Sequence, residues 1–222
     1  MPRKRRVARR RKKKRRGLFR NSLNPKLGIP LLLIAVVLLV SPFIAEAYAS
    51  YRQSILLQQY RDSFAPKPEI NFSVNKGAPT GFEGVILEIP RLELEVAILP
   101  PPDSFDDYMR LLLQSPVFLR GSVYPGAQGI VSMTAHRIDH GNYFYDLDFM
   151  EKGDKIYLKT PGYSFEYTVF ENKIINEYDT HYVDNHGDKY ILALVTCEPK
   201  TTRQPTPYRL LVRAELEKVE RN

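Results

Sequence analysis

The chain has 222 residues, 43% of them hydrophobic, a formal net charge of +8 and one cysteine. This length allows one compact domain plus a smaller segment, and a single cysteine excludes an intramolecular disulfide. The charge is uneven, because residues 1–20 hold 13 of the 33 basic residues and no acidic residue. The remaining 20 basic and 25 acidic residues give the body a net charge of −5, so we expect no nucleic-acid partner.

The basic tail, residues 1–26, precedes an uncharged apolar segment at residues 27–45. A helix of 19 residues at 1.5 Å per residue covers about 30 Å, the thickness of the hydrocarbon core of a bilayer. Pro30 and Pro42 lie near the ends of the segment, where a proline disturbs a helix least. The sequence therefore predicts a transmembrane anchor at residues 27–45.

The distribution of Lys and Arg predicts the orientation of this anchor. The 13 basic residues favour a cytoplasmic N-terminus in contact with anionic lipid headgroups. The rest of the chain would then lie outside the cell membrane, in a single-pass protein. A cleaved signal peptide is the alternative, since Ala45-Glu46-Ala47 and Ala47-Tyr48-Ala49 resemble cleavage sites, but the apolar segment is longer than a typical signal core.

Residues 46–81 are predicted to form a stalk and linker, helical at first and then rich in proline, glycine and polar residues. The folded domain is predicted at residues 82–222, where strand patterns predominate. The clearest strand segments are GVILEIPRLELEVAIL, GIVSMTAH, KIYLKT, YSFEYTVFENKII, YILALVTC and YRLLVRAEL. Seven or eight short strands with few helices predict a mostly β fold, either a closed β-barrel or a β-sandwich.

Two short helices are predicted within this domain. The first is SFDDYMRLLLQSP, in which Ser104 caps the start, Asp106 and Asp107 lie in the first turn and Pro116 stops the helix. The second covers residues 143–150. We interpret the acidic and aromatic stretch PPDSFDDY as the start of the first helix rather than as a lid.

Three reactive side chains lie at the ends of predicted strands: Cys197 ends YILALVTC, His136 ends GIVSMTAH, and Arg209 opens YRLLVRAEL. A cysteine attacks as the thiolate, a histidine can carry a proton to a leaving amine, and an arginine can stabilise an oxyanion. Together the three side chains are sufficient for acyl transfer. Taken singly, each also fits an ordinary buried or solvated residue.

The segments around these residues resemble the sortase family. LVTC at 194–197 is similar to the family's cysteine strand, TAHR at 134–137 to its histidine strand end, and YRLLV at 208–212 to its arginine strand. YPGAQG precedes the histidine strand and FYDLDFMEKGDKIYL follows it, as in sortases. The resemblance covers residues 84–217 in the order that the family shows.

This resemblance implies an eight-stranded, closed sortase-type β-barrel and a membrane-anchored cysteine transpeptidase. Cys197 would attack an LPxTG-like sorting signal of a surface protein, and an amine from peptidoglycan or a pilin would resolve the thioacyl enzyme. His136 would act as general acid and base, and Arg209 would stabilise the oxyanion. Thr196 would help to bind substrate, and the backbone N–H of Glu198 would donate a second hydrogen bond to the oxyanion.

The subclass and two alternative functions stay open at this point. The spacing of twelve residues between Cys197 and Arg209 resembles class D or E sortases, whereas RLLVR and FYDLD resemble the pilin-polymerising class C. A substrate-attaching enzyme is favoured over a pilin polymerase. A non-enzymatic, membrane-anchored β-barrel interaction domain is the other alternative, and it predicts a thiol buried away from His136 and Arg209.

No cofactor is expected, and calcium is the alternative. The stretch YDTHYVDNHGD offers oxygen ligands suited to calcium and imidazoles suited to zinc, but it has no EF-hand or zinc-site spacing. We therefore interpret it as a solvated specificity loop. Its candidate ligands are Asp179, His181, Asp184, His186 and Asp188.

Overall fold

The structure is a computed structural model that describes residues 25–64, 84–138, 141–184, 189–201 and 205–221. The chain divides into two compact units, Met1–Pro42 and Phe43–Asn222. Helix α1 (Pro25–Ser63) confirms the predicted helix at residues 27–45 and continues through the first part of the predicted stalk, with Pro30 and Pro42 inside it. By length and composition, its residues Ile29–Asp62 contain a stretch that is long and apolar enough to be a candidate membrane span.

Within the described residues, eight strands form one sheet, in the order β2-β1-β5-β6-β8-β7-β4-β3. Neighbouring strands are antiparallel except for the parallel pair β4 and β7. A parallel bridge between Leu99 and Val117 joins the two edge strands, so the sheet is a nearly closed barrel, as predicted. The strands are β1 (Val85–Ile89), β2 (Leu94–Ile98), β3 (Val117–Phe118), β4 (Gly129–Thr134), β5 (Lys155–Thr160), β6 (Tyr163–Asn176), β7 (Tyr190–Glu198) and β8 (Tyr208–Arg221).

The first predicted helix is confirmed as α2 (Phe105–Leu112), and the Ser104 hydroxyl accepts a hydrogen bond from the Asp107 N–H at 3.1 Å. The second prediction, a helix at residues 143–150, is wrong in extent. Only Leu147–Phe149 is helical there, and it is a 3₁₀ turn. The backbone bonds of this region join residues three apart, which closes tight turns rather than α-helical ones.

The interior of the barrel is filled by apolar side chains. Strand β5 alternates between buried and half-buried residues, as a strand with one face toward a core should. A filled interior leaves the outer surface and the strand ends as the places where a substrate can bind. The inner core includes Val85, Leu87, Ile89, Val96, Phe118, Val131, Met133, Phe144, Leu147, Ile156, Leu158, Phe165, Tyr167, Leu192, Leu194 and Val212.

Strand β7 is buried on both faces. Its residues Leu192 and Leu194 belong to the inner core. Ile191, Ala193 and Val195 belong instead to a second apolar cluster on the outer face of the sheet. Because both faces are covered, the strand reads as an almost unbroken apolar run rather than an alternating one.

The end of α1 packs against the barrel, within the unit Phe43–Asn222. Gln53 is buried and accepts a hydrogen bond from the Ser115 hydroxyl at 3.1 Å. The Tyr60 ring lies so close to Gly84 that an added Cβ there would clash with it. This part of the predicted stalk is therefore a packed element, whereas the predicted domain start at residue 82 lies outside the described residues.

Replacing Tyr60 with alanine in the full chain is expected to lower the free energy of unfolding of the barrel by about 1–3 kcal/mol, because a packed aromatic side chain is lost. Tyr51 is the matched control, since it lies on the same helix and is 62% exposed. Tyr51→Ala should change stability by less than about 0.5 kcal/mol. Denaturant unfolding in detergent measures both, and equal losses would contradict the packing of this helix segment on the barrel.

Candidate active site

Cys197 lies at the end of β7, exposed and directly opposite Arg209 on β8. Alternate residues of a strand point to opposite faces, so Cys197 shares the outer face with Val195, while Thr196 points inward and is buried. Side chains directly opposite in an antiparallel pair have Cβ atoms about 5 Å apart. The thiol is therefore neither buried nor remote from Arg209, contrary to what the interaction-domain alternative predicts.

His136 lies beyond the end of β4, which stops at Thr134, two residues earlier than predicted. The parallel register places Thr134 beside Val195 of β7. The Thr196 hydroxyl donates to the Ala135 carbonyl at 2.9 Å, which keeps the two chains side by side past the end of β4. Extended by two residues beyond Thr134 and Val195, this register would bring His136 alongside Cys197, on the same face of the sheet.

The structure places the two predicted substrate-binding residues on either side of the thiol. Thr196 is 1% exposed and uses its hydroxyl to hold Ala135. The carboxylate of Glu198 contacts the guanidinium of Arg137, the residue after His136. The contact of Thr196 with substrate and the donation from the Glu198 N–H stay predictions.

Arg209 is held by three acceptors. Its Nη2 donates to the Glu177 carboxylate at 2.6 Å, and its Nη1 donates to the carbonyls of Tyr208 and Thr206. These contacts fix the plane of the guanidinium on the strand position opposite Cys197. Sequence reasoning missed Glu177, because it lies 32 residues before Arg209 with no motif to mark it.

Tyr108 on α2 is a second side chain that the sequence did not single out. Burial raises the pKa of Tyr108, the neighbouring Cys197 raises this pKa further, and a hydrogen bond with Thr134 and the charge of Arg209 lower it in part. A phenol is protonated at neutral pH even at its ordinary pKa, and the net increase leaves it so. Helix α2 therefore brings a neutral hydroxyl to Thr134 at the end of β4, within electrostatic range of Cys197 and Arg209. The amphipathic pattern of the helix was its only signal.

Among the described residues, no group of three or more His, Cys, Asp or Glu side chains could hold a metal ion. Of the candidate ligands, Asp179 accepts the Asn176 N–H at 3.0 Å, and His181 lies against the ring of Tyr182 with centroids 3.9 Å apart. His186 and Asp188 lie outside the described residues. The solvated specificity loop stays the prediction for this stretch, and calcium binding stays its alternative.

Asp148 accepts hydrogen bonds from Arg137 at 2.9 Å and from Lys200 at 3.1 Å. Burial alone would raise the pKa of Asp148, but the hydrogen bonds from Lys200 and Arg137 lower it below its usual value. A carboxyl with a lowered pKa stabilises the fold above its unfolded pKa, near 3.9, and this contribution is lost as the pH falls through the folded pKa.

Asp148→Asn is therefore expected to make the free energy of unfolding fall less steeply with decreasing pH below about pH 4. Asp146→Asn is the control, because Asp146 is half exposed and lies 3.7 Å from Lys200. Urea unfolding at a series of pH values from neutral to acid measures the slope of the free energy of unfolding against pH. An unchanged slope in Asp148→Asn would contradict the prediction.

Comparison with known proteins agrees with this geometry. The sortase-domain family model matches residues 87–217. Over 218 residues the chain is 27% identical to sortase A of Listeria monocytogenes, covering 90% of this chain and 94% of that protein. The solved structure of that sortase A matches with a TM-score of 0.53 at 27% identity, over 63% of this chain and 89% of the other.

A sortase D5 transpeptidase of Clostridium perfringens matches in fold, with a TM-score of 0.61 at 20% identity, over 76% of this chain and 99% of the other. Other matching structures are sortases of classes C and E. The family model covers more than half of the chain, and the strands that it includes carry Cys197 and Arg209. This chain belongs to the sortase family.

Proposed function

We propose that this chain is a membrane-anchored cysteine transpeptidase that cleaves an LPxTG-like sorting signal and transfers the acyl group to an amine. The observation that carries the proposal is the exposed thiol of Cys197 opposite Arg209. The parallel register of β4 and β7 supports a place for His136 beside them. A thiol that only packed in a core would need neither neighbour.

In the first half-reaction, the Cys197 thiolate attacks the carbonyl carbon of the scissile Thr–Gly bond. Arg209 stabilises the resulting oxyanion with charge-assisted hydrogen bonds, and the Glu198 N–H is the second proposed donor. His136 gives a proton to the leaving glycine amine as the C–N bond breaks. The product is a thioester between Cys197 and the threonine carbonyl.

In the second half-reaction, an acceptor amine attacks this thioester. His136 now takes the proton from the attacking nitrogen, and the C–S bond breaks to release the Cys197 thiolate and a new amide. Arg209 stabilises the second oxyanion in the same position. Thr196, which ties β7 to Ala135 at 2.9 Å, maintains the spacing between the two strand ends in both steps.

The proposed setting is the outer face of a cell membrane. The candidate span in α1 supplies a single-pass anchor, and the basic tail supports a cytoplasmic N-terminus. Surface proteins with a sorting signal would be the substrates, and peptidoglycan peptides would provide the amine. A pilin polymerase, in which a lysine of a second protein is the acceptor, is the alternative.

The test incubates the full chain in detergent with a library of LPxTG-type peptides and follows the protein by intact-mass spectrometry. We expect an acyl adduct on Cys197 that disappears when an amine is added. Short glycine or cross-bridge peptides should resolve it if the enzyme attaches substrates to the wall, and lysine-containing pilin peptides if it polymerises pilins. No adduct with any peptide would overturn the proposal.

A further inference from the structure

Arg137, the residue that follows His136, is the largest of the fully buried side chains that the structure describes. Only 1% of its side chain is exposed. Burying a guanidinium costs several kcal/mol unless its donors are paired. An arginine in this place therefore needs a reason beyond the filling of space.

Its guanidinium contacts two other segments of the chain, residues 145–148 and residues 197–198. Nε donates to the Tyr145 carbonyl at 3.3 Å, and Nη2 contacts the Asp148 carboxylate at 2.9 Å. Nη1 donates to the carbonyl of Cys197 at 3.2 Å and contacts the Glu198 carboxylate. Arg137 thus connects its own backbone, which adjoins His136, to the peptide that links Cys197 with Glu198.

Lys200 also contacts the segment that carries Tyr145 and Asp148. It contacts Asp148 at 3.1 Å, and its ammonium lies over the rings of Tyr145 and Phe149 at 4.9 and 4.6 Å from their centroids. Two cations and two carboxylates therefore lie together where the segment that follows His136 meets the segment that follows Cys197. We call Arg137, Asp148, Glu198 and Lys200 the Arg137 cluster.

The choice of arginine follows from this geometry. Its planar fork can donate to several acceptors at once, whereas a lysine ammonium is a compact point charge on a flexible stem. On β7, the acceptor is the carbonyl of Cys197 itself. Because the peptide is planar, a fixed carbonyl also fixes the N–H of Glu198, the second proposed oxyanion donor.

We propose that Arg137 is a positioning residue that sets the spacing and orientation of His136 relative to Cys197 through its bond to the Cys197 carbonyl. The inference deepens the proposed function and rests on it for its kinetic readout. Arg137 does not touch the reacting atoms. It acts by holding together two strand ends that come from distant parts of the sequence.

The first test compares Arg137→Lys with the wild-type full chain in detergent. We expect kcat to fall by roughly 10- to 100-fold with little change in KM, because misplacement of a catalytic pair affects chemistry more than binding. The control is Arg91→Lys, since Arg91 also donates to a carbonyl, that of Phe149 at 2.7 Å, and to Asp154 without contacting Cys197. Equal effects of the two substitutions would overturn the inference.

A second variant separates positioning from stability. Arg137→Met combined with Asp148→Asn and Glu198→Gln removes the arginine together with the carboxylates that would otherwise be left unpaired. We expect thermal stability to recover toward wild type while kcat stays low. Recovery of both would show a purely structural role for Arg137 and overturn the inference.

A third readout needs no substrate. Cys197 is the only cysteine of the chain, so alkylation by iodoacetamide reports on this thiol alone. His136→Asn should slow alkylation several-fold in the wild-type background and have little effect in the Arg137→Lys background. The same effect in both backgrounds would overturn the inference. If His136→Asn slowed alkylation only in the wild-type background and no variant carried out acyl transfer, the positioning role would stand and the proposed function would be rejected.

Discussion

Replacing Cys197 with alanine is expected to abolish acyl-enzyme formation and to lower the rate of amide formation by roughly 10⁴-fold or more, because the nucleophile is lost. The side chain is exposed, so the substitution should leave the barrel intact and the midpoint of thermal unfolding nearly unchanged. Intact-mass spectrometry and amide formation from an LPxTG-type peptide and an amine measure the two effects.

Cys197→Ser is the closest control in shape, and it replaces the thiol by a much weaker nucleophile. We expect it to be as inactive as the alanine variant and equally well folded. If either variant kept the activity of the wild type, the proposed nucleophile would be wrong. If both variants unfolded, Cys197 would have a structural role that its exposure does not indicate.

Replacing Arg209 with lysine is expected to lower kcat/KM by roughly 10²- to 10³-fold, the cost of removing an oxyanion donor. Lysine keeps the charge but loses the planar fork, whose present contacts are Glu177 at 2.6 Å and two backbone carbonyls. The effect should appear in acyl-enzyme formation, since the first oxyanion forms in that step. Single-turnover kinetics with mass detection measure it.

Arg213 is a closely matched control for Arg209. It lies on the same face of β8, its side chain is 21% exposed against 25% for Arg209, and it pairs with Glu171 at 3.1 Å. Arg213→Lys should therefore change kcat/KM by less than about threefold, because Arg213 lies away from the end of the strand where Cys197 is found. Equal losses in both variants would contradict a specific role for Arg209.

The candidate site was predictable as a set of residues because the sequence signals for it are local. Cys197, His136 and Arg209 each lie at or near the end of a strand whose pattern is readable alone, and their order resembles that of sortases. The capped helix α2 was predictable for the same reason. Ser104 and Asp107 lie three residues apart, within the reach of one helical turn.

The predicted helix at residues 143–150 was wrong because its local signals were weak. The residues there form tight turns, and Asp148 bonds with Arg137 and Lys200, both outside the range of one helical turn. The packing of Tyr60 against Gly84 was missed for a related reason. A helical pattern does not say which surface the helix contacts, and the linker prolines favoured a separate stalk.

The sequence by itself determined the apolar segment, most of the strands, the capped helix and the family, because each depends on neighbouring residues or on their order. Only the tertiary structure decided that Cys197 faces outward, since β7 is apolar on both faces and its pattern carries no alternation. The structure also decided the contacts of Arg209 with Glu177 and of Arg137 with Cys197. These contacts join residues 32 and 60 positions apart, and only the pairing of distant strands brings such residues together.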